Sequence, residues 1–380
     1  MKKYFVYTPG PTNVRENVRV MRGIETTNPD LDLDFYDFYK ETCSKIGSIL
    51  KTQNDVFILN GEGILGLEAA CASLTEEGDR VLVIDNGIFG EGFKDFIEIY
   101  GGNAVLYSVD RKKDIDVDDL KRFLENDHNF KYATVVHCDT PSGVLNNIKD
   151  ICPLLKSYGI VTVVDSVAAM VGEPIEVDKW KIDIVLGGSQ KAFSTQPGLT
   201  MVSISDDAYK IMNNRKQPIH GFYCNLTIWK DYYKNKWFPY TMPISDIYSL
   251  ATACDNILQE GLEEIHIRHS KIANATRNAL VQYGFRLYLN SGYSSTVTVV
   301  EPPEGFYVED IINHMKDKYK VLIAGSFGYL AGQVIRIGHM GENASLDKII
   351  YVLNVLELTM RDLGYCSKVN LIDEFNKSYK

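Results

Sequence analysis

From residue 55 onward, short β-branched apolar runs alternate with longer stretches in which apolar residues recur at helical spacing. Runs at 55–60, 80–84, 104–109, 132–137, 160–164, 182–186 and 199–204 predict strands. Between them, 64–77, 89–100, 117–126 and 148–158 predict helices, the first stopped by Gly78. Such alternation predicts an α/β layer with a mainly parallel sheet and helices on both faces. Residues 218–243 break the rhythm: they are rich in aromatics, carry Pro218, Pro239 and Pro243, and read as an irregular crossing segment. A long helix over 246–282, bent near Gly261, comes next. Strands at 295–300, 320–323 and 334–337, alternating with helices at 308–318 and 346–363, then predict a smaller α+β domain. The last residues read as a loosely docked tail.

With 380 residues, 45% of them hydrophobic, the chain can build one large core and a smaller one. The expected division is an N-terminal segment (1–20), a large domain (21–265) and a small C-terminal domain (266–380). The net charge of −10 argues against nucleic acid or a membrane surface as partner, since either would want a basic face. Seven scattered cysteines, none in a CxxC pair, fit a reduced protein without a metal site. No apolar run reaches the length of a membrane span, and no hydrophobic signal segment follows Met1-Lys2-Lys3-Tyr4. A cytoplasmic location is the expectation.

Gly61-Glu62-Gly63-Ile64-Leu65-Gly66 follows a predicted strand and opens a predicted helix. The free N–H groups and positive dipole end of a helix start attract phosphate of any kind. A dinucleotide site is one reading of this loop; tight helix–strand packing that needs small residues is the other. Against the dinucleotide, more than fifty residues precede the motif, and the acid after the next strand, Asp85, is followed by Asn86-Gly87.

Three strand ends carry polar groups that a strand does not need: His137-Cys138-Asp139-Thr140-Pro141-Ser142-Gly143, Asp165-Ser166, and Gly187-Gly188-Ser189-Gln190-Lys191. Taken singly, each reads as a turn, a helix cap or a solvated lysine. In an open α/β sheet, however, ligands bind at the carboxyl ends of strands. A hydroxyl, an acid and a lysine at one such edge suit pyridoxal phosphate (PLP). A desolvated lysine can form a Schiff base, a carboxylate can keep the pyridine nitrogen protonated, and a helix start can hold the phosphate.

These residues, with Thr8-Pro9-Gly10-Pro11-Thr12, Asn86-Gly87-Ile88-Phe89-Gly90 and Arg336-Ile337-Gly338-His339-Met340-Gly341, give a chain that resembles the class V aminotransferases of PLP fold type I. It is most similar to the alanine–glyoxylate, serine–pyruvate and 2-aminoethylphosphonate–pyruvate types. The resemblance implies a mainly parallel sheet in a large cofactor-binding domain with a smaller α+β domain, and a homodimer with shared sites. It implies transfer of an amino group from a small donor to a 2-oxo acid such as pyruvate or glyoxylate, by a ping-pong mechanism. Lys191 would hold PLP and move the proton; Asp165 would pair with the ring nitrogen. Phe89 would stack on the ring, with Thr140 and Val167 beside it. Glu62, Gly63, Ile64 and Gln190 would surround the phosphate, and Thr241 would reach the phosphate of a neighbouring subunit. Gly10 and Arg336 would meet the substrate.

The chain departs from the family pattern at Glu62, where a small hydroxyl residue is usual, at Ile64, and at Phe89, where close relatives stack Trp. A tyrosine of some relatives is Phe238 here, for which Tyr240 could substitute. Glu62 is expected to turn away into solvent, because an unpaired anion beside a phosphate is costly. Other readings of the same residues are a PLP-dependent lyase or decarboxylase, an NAD-type oxidoreductase using the glycine loop, and a non-catalytic protein on this fold.

Overall fold

The computed structural model describes residues 4–379. Seven strands form the central sheet: β1 (Asp55–Asn60), β2 (Arg80–Asp85), β3 (Asn103–Ser108), β4 (Tyr132–Val136), β5 (Val161–Asp165), β6 (Ile184–Gly188) and β7 (Leu199–Ile204). Their order is β1-β7-β6-β5-β4-β2-β3. Only β7 runs antiparallel to its neighbours. Every residue of β4, β5, β6 and β7 is buried, as expected of strands covered on both faces. The register pairs Val136 with Asp165, and Asp165 with Leu186. The carboxyl ends of β4, β5 and β6 therefore lie side by side, and the three polar runs issue from one edge.

A second, antiparallel sheet holds β8 (Arg286–Leu287), β9 (Val297–Glu301) and β10 (Ile335–Gly338) in that order. It belongs to a separate apolar cluster that includes Ile272, Ile335, Leu353 and Phe375. The cluster around the central sheet includes Phe35, Ile46, Val163 and Leu186. One helix, Leu262–Tyr283, serves both, with Ile265 in the first and Ile272 in the second. The expected division at 265/266 falls within this helix. The N-terminal segment (whose first three residues lie outside those described) pairs Phe5–Val6 with Val321–Leu322 of the small domain.

The structure differs from the sequence reading in three places. The single bent helix expected over 246–282 is two, Ile244–Glu260 and Leu262–Tyr283, parted at Gly261 with φ of +89°. An unanticipated helix, Leu33–Leu50, buries Phe35, Tyr36, Tyr39 and Ile46. Phe238 of the irregular 218–243 segment stacks on Tyr36 at 4.4 Å, which fastens that segment to it. The tail is not loose: Leu371–Ser378 is a helix with Leu371 and Phe375 fully buried, and Glu357 accepts the Leu371 N–H at 2.8 Å. Among the described residues, no helix is long and apolar enough to cross a membrane and no His/Cys/Asp/Glu group could hold a metal.

Candidate active site

A cavity of about 300 Å³ opens at the edge formed by β4, β5 and β6. Glu62, Gly63 and Ile64 line it from the turn after β1, and Phe89 from the helix after β2. Cys138 and Thr140 follow β4, Asp165 and Val167 close β5, and Gln190 and Lys191 follow β6. The structure thus gathers every residue expected around a cofactor except Thr241, which is exposed and lies elsewhere. Gly10 and Arg336 do not line the cavity but contact residues that do.

Lys191 sits on a stiff loop. The Ser189 hydroxyl donates to the Gln196 carbonyl at 2.7 Å and accepts from the Leu199 N–H at 3.2 Å, closing the turn back into β7. Lys191 Nζ donates to the Pro9 carbonyl at 2.8 Å. Burial pushes its pKa below the usual lysine range, and Arg336 adds to the effect. At Gly10, φ is +89° and a Cβ would lie 2.5 Å from Lys191 Cδ, so backbone alone fits against the lysine.

Asp165 ends β5, and its Oδ1 accepts the Val167 N–H at 2.9 Å. Burial raises its pKa to about 6, with a smaller push from Asp139. Asp139, which the sequence reading left without a role, is fully buried beneath the site. It accepts from the Phe89 N–H at 2.9 Å and from the Ser142 hydroxyl at 2.7 Å, and so fixes Phe89 against the cavity. The one signal for it was an acid inside the run after β4. Cys138, also unassigned from sequence, lines the cavity with its sulfur 3.7 Å from the Thr296 hydroxyl.

Arg336, on β10, is nine-tenths buried. Its Nε donates to the Gly325 carbonyl at 2.6 Å and a terminal nitrogen to the Thr140 carbonyl at 3.4 Å. Burial lowers its pKa to about 10, while Asp139 draws it back up. With carbonyls as its protein partners, the guanidinium keeps donors for a carboxylate from outside.

The glycine loop does packing work. A Cβ on Gly66 would lie 2.4 Å from Thr200 Cγ2 and one on Gly63 2.8 Å from Val167 Cγ2, so both glycines let the helix Gly63–Leu74 approach the sheet. Asp85, the ribose partner of the dinucleotide reading, is buried and already accepts from Ser108 at 2.9 Å and Gly87 at 3.2 Å. Glu62 does not point away as expected. The residue stays exposed, but one carboxylate oxygen accepts the Ile64 N–H at 3.1 Å and the other accepts from Gln190 Nε2 at 3.1 Å. The helix start attracts the chain's own anion, which caps it while keeping contact with solvent. Gln190 Oε1 is left buried without a donor.

Comparison with known proteins agrees with this geometry. The family model described as Aminotransferase class-V matches residues 15–352. The chain is 32% identical to an uncharacterized aminotransferase of Methanocaldococcus jannaschii, over 96% of this chain and 94% of that one. It is 31% identical to the pyridoxamine–pyruvate transaminase of Mesorhizobium japonicum, over 94% and 91%. Its fold superposes on ureidoglycine–glyoxylate aminotransferase from Bacillus subtilis with a TM-score of 0.95 at 27% identity, covering 100% of this chain and 98% of the other. The chain belongs to the class V aminotransferases, PLP-dependent transaminases of fold type I.

Proposed function

We propose that the cavity at the ends of β4, β5 and β6 is where this transaminase moves an amino group from a small donor to pyruvate or glyoxylate, with Lys191 as its central residue. The observation that carries this reading is a partly buried lysine of lowered pKa sharing one cavity with a buried acid from the neighbouring strand end. When bound, the cofactor ring supplies an electron sink.

The chain's residues would divide the remaining work. Lys191 Nζ, whose pKa burial and Arg336 lower, is the group placed to take a proton from the donor and return it to the acceptor. The Asp165 carboxylate, penalised by burial that Lys191 offsets only in part, is ready to hold a protonated ring nitrogen. Phe89, fixed by Asp139, covers one ring face, and Thr140 and Val167 border it. Arg336 holds the carboxylate of the 2-oxo acid, a task suited to a planar fork.

The residues fit the ring end of the cofactor better than its phosphate end. An orphaned acceptor, Gln190 Oε1, and the Glu62 carboxylate stand where a phosphate would need donors.

A visible spectrum of the purified protein tests the reading. A ring–lysine band that amines bleach supports it; no such band after ring compounds are supplied overturns it.

We infer further that two copies pair. The 218–243 segment carries Thr241 and the half-exposed Phe222, Tyr223 and Trp237, an apolar surface that a second copy would cover while Thr241 reaches its site. An active monomer in sedimentation would refute this. The division into domains at 21–265 and 266–380 is proposed on the two apolar clusters. A cytoplasmic location is proposed on the free cysteines, five of them buried.

A further inference from the structure

We propose that the far end of this site selects against phosphate, so that the ring it takes is the unphosphorylated one: a pyridoxal-type aldehyde or amine with a neutral hydroxymethyl group. The proposal rests on the transaminase reading above and names the substrate that carries the ring.

The first observation is the state of the helix start. Gly63–Leu74 is a twelve-residue helix that begins at the cavity wall. Such a start binds phosphate when its first N–H groups are free. Here Glu62 is the N-cap, and its Oε1 accepts the Ile64 N–H at 3.1 Å. The anion that this helix end would attract is already supplied by the chain.

The second observation is independent of the helix. Gln190 lines the cavity and is 7% exposed. Its Nε2 donates to Glu62 Oε2 at 3.1 Å, which fixes the orientation of the amide, because turning it over would set oxygen against carboxylate. Gln190 Oε1 is then buried with no donor. Both side chains that this copy of the chain sets at this end present acceptors, an amide oxygen and a carboxylate. An ionised phosphate brings only acceptors, whereas a hydroxymethyl group brings an O–H donor.

Charge leads to the same conclusion. Lys191 is the sole cation among the described residues lining the cavity, and its amine is turned to the Pro9 carbonyl. A phosphate would meet the Glu62 carboxylate with no cation of this chain beside it to offset the repulsion. A neutral hydroxymethyl group meets no such penalty.

A ring without its phosphate anchor can leave after each half-reaction, so it is a substrate. The ring amine (–CH2–NH2) gives its nitrogen to the 2-oxo acid and departs as the aldehyde, oxidised by two electrons. The 2-oxo acid is reduced by the same two electrons to the amino acid, and its oxygen ends on the aldehyde after exchange through water. Atoms and electrons balance with no further reagent.

The test is a competition on the full-length protein. Equimolar pyridoxal and pyridoxal 5′-phosphate are offered, borohydride is added, and the Lys191 peptide is weighed. The expected result is at least about tenfold more unphosphorylated adduct in the wild type, and a shift of at least about tenfold toward the phosphorylated adduct in Glu62→Ser. A wild type that takes the phosphorylated ring equally or better overturns the proposal and leaves the transaminase reading standing. Absence of either adduct on Lys191 overturns both. An unshifted preference in Glu62→Ser removes Glu62 as its cause. The wild-type competition decides even where the variant fails to fold. Many turnovers of the unphosphorylated amine with pyruvate are also expected, and a single turnover would refute its role as substrate.

Discussion

Replacing Asp139 by Ala should loosen the wall of the site from beneath. The carboxylate is fully buried and accepts from the Phe89 N–H at 2.9 Å, the Ser142 hydroxyl at 2.7 Å and the Ser142 N–H at 3.3 Å. The Gly87 backbone packs against it so closely that a Cβ there would lie 2.4 Å from Cγ. Each buried donor left without a partner costs about 1–3 kcal/mol. Phe89 is half-buried and can regain water, and deleting a desolvated acid returns part of the loss, since burial holds its pKa above the usual range. The net loss should be about 2–3 kcal/mol for Asp139→Ala. For Asp139→Asn it should be about 1 kcal/mol, because the amide oxygen can keep the Phe89 N–H. Urea unfolding of the ligand-free protein measures both. Asp139 also draws the Arg336 pKa upward, so the Ala variant should bind 2-oxo acids more weakly as pH rises toward 10. A stability loss below about 0.5 kcal/mol in Asp139→Ala would refute the account, because unsatisfied buried donors cannot be that cheap.

Lys191→Ala should abolish the borohydride-trapped adduct and lower turnover by at least about 10³-fold, while ring compounds still bind weakly; label on another lysine would displace Lys191 from the site. Arg336→Lys should raise the KM for the 2-oxo acid about tenfold with a smaller change in kcat, since a point charge replaces a two-bond fork; an unchanged KM would place the carboxylate elsewhere. Burial holds His137, His269 and His339 neutral down to about 3. The unfolded chain protonates each below about 6.5, so their contribution is lost as pH falls from there toward 3. Asp165 and Glu173, raised by burial to about 6 and about 7, act in the opposite sense until pH nears 4. Asp139, also raised by burial, opposes the histidines as well, so the histidine loss in the ligand-free protein should emerge chiefly below about pH 4; a flat denaturation profile between about pH 4 and 3 would contradict it.

The central sheet was legible because parallel strands buried on both faces are continuous apolar runs, and β1 and β7 match their expected bounds. The lysine, the acid and Phe89 were legible because sheet register carries strand ends to one edge. The helix Leu33–Leu50 was not, since Phe35, Tyr36 and Tyr39 suit a strand as well as a helix; burial against the 218–243 segment decides. The helix Leu371–Ser378 is too short to display a period and owes its order to Leu371 and Phe375 sinking into the small domain. Asp139 escaped because its partner is an N–H fifty residues away, a contact that leaves no local pattern. Glu62 is legible as an anion but not as the cap of its helix. Sequence gives its charge, yet only the structure sets Gln190 beside it, 128 positions along the chain.

The pairing of Phe5–Val6 with Val321–Leu322 bears on how the molecule is made. This strand finds its mate 316 positions further along the chain. The neighbouring Pro9-Gly10 step, whose Pro9 carbonyl receives Lys191, is held on one side by the bonds of Thr12 to Gln190 and Lys191 and on the other by this pairing. Closure of this segment over Lys191 therefore waits on a contact between positions 316 residues apart, a kind that is slow to form.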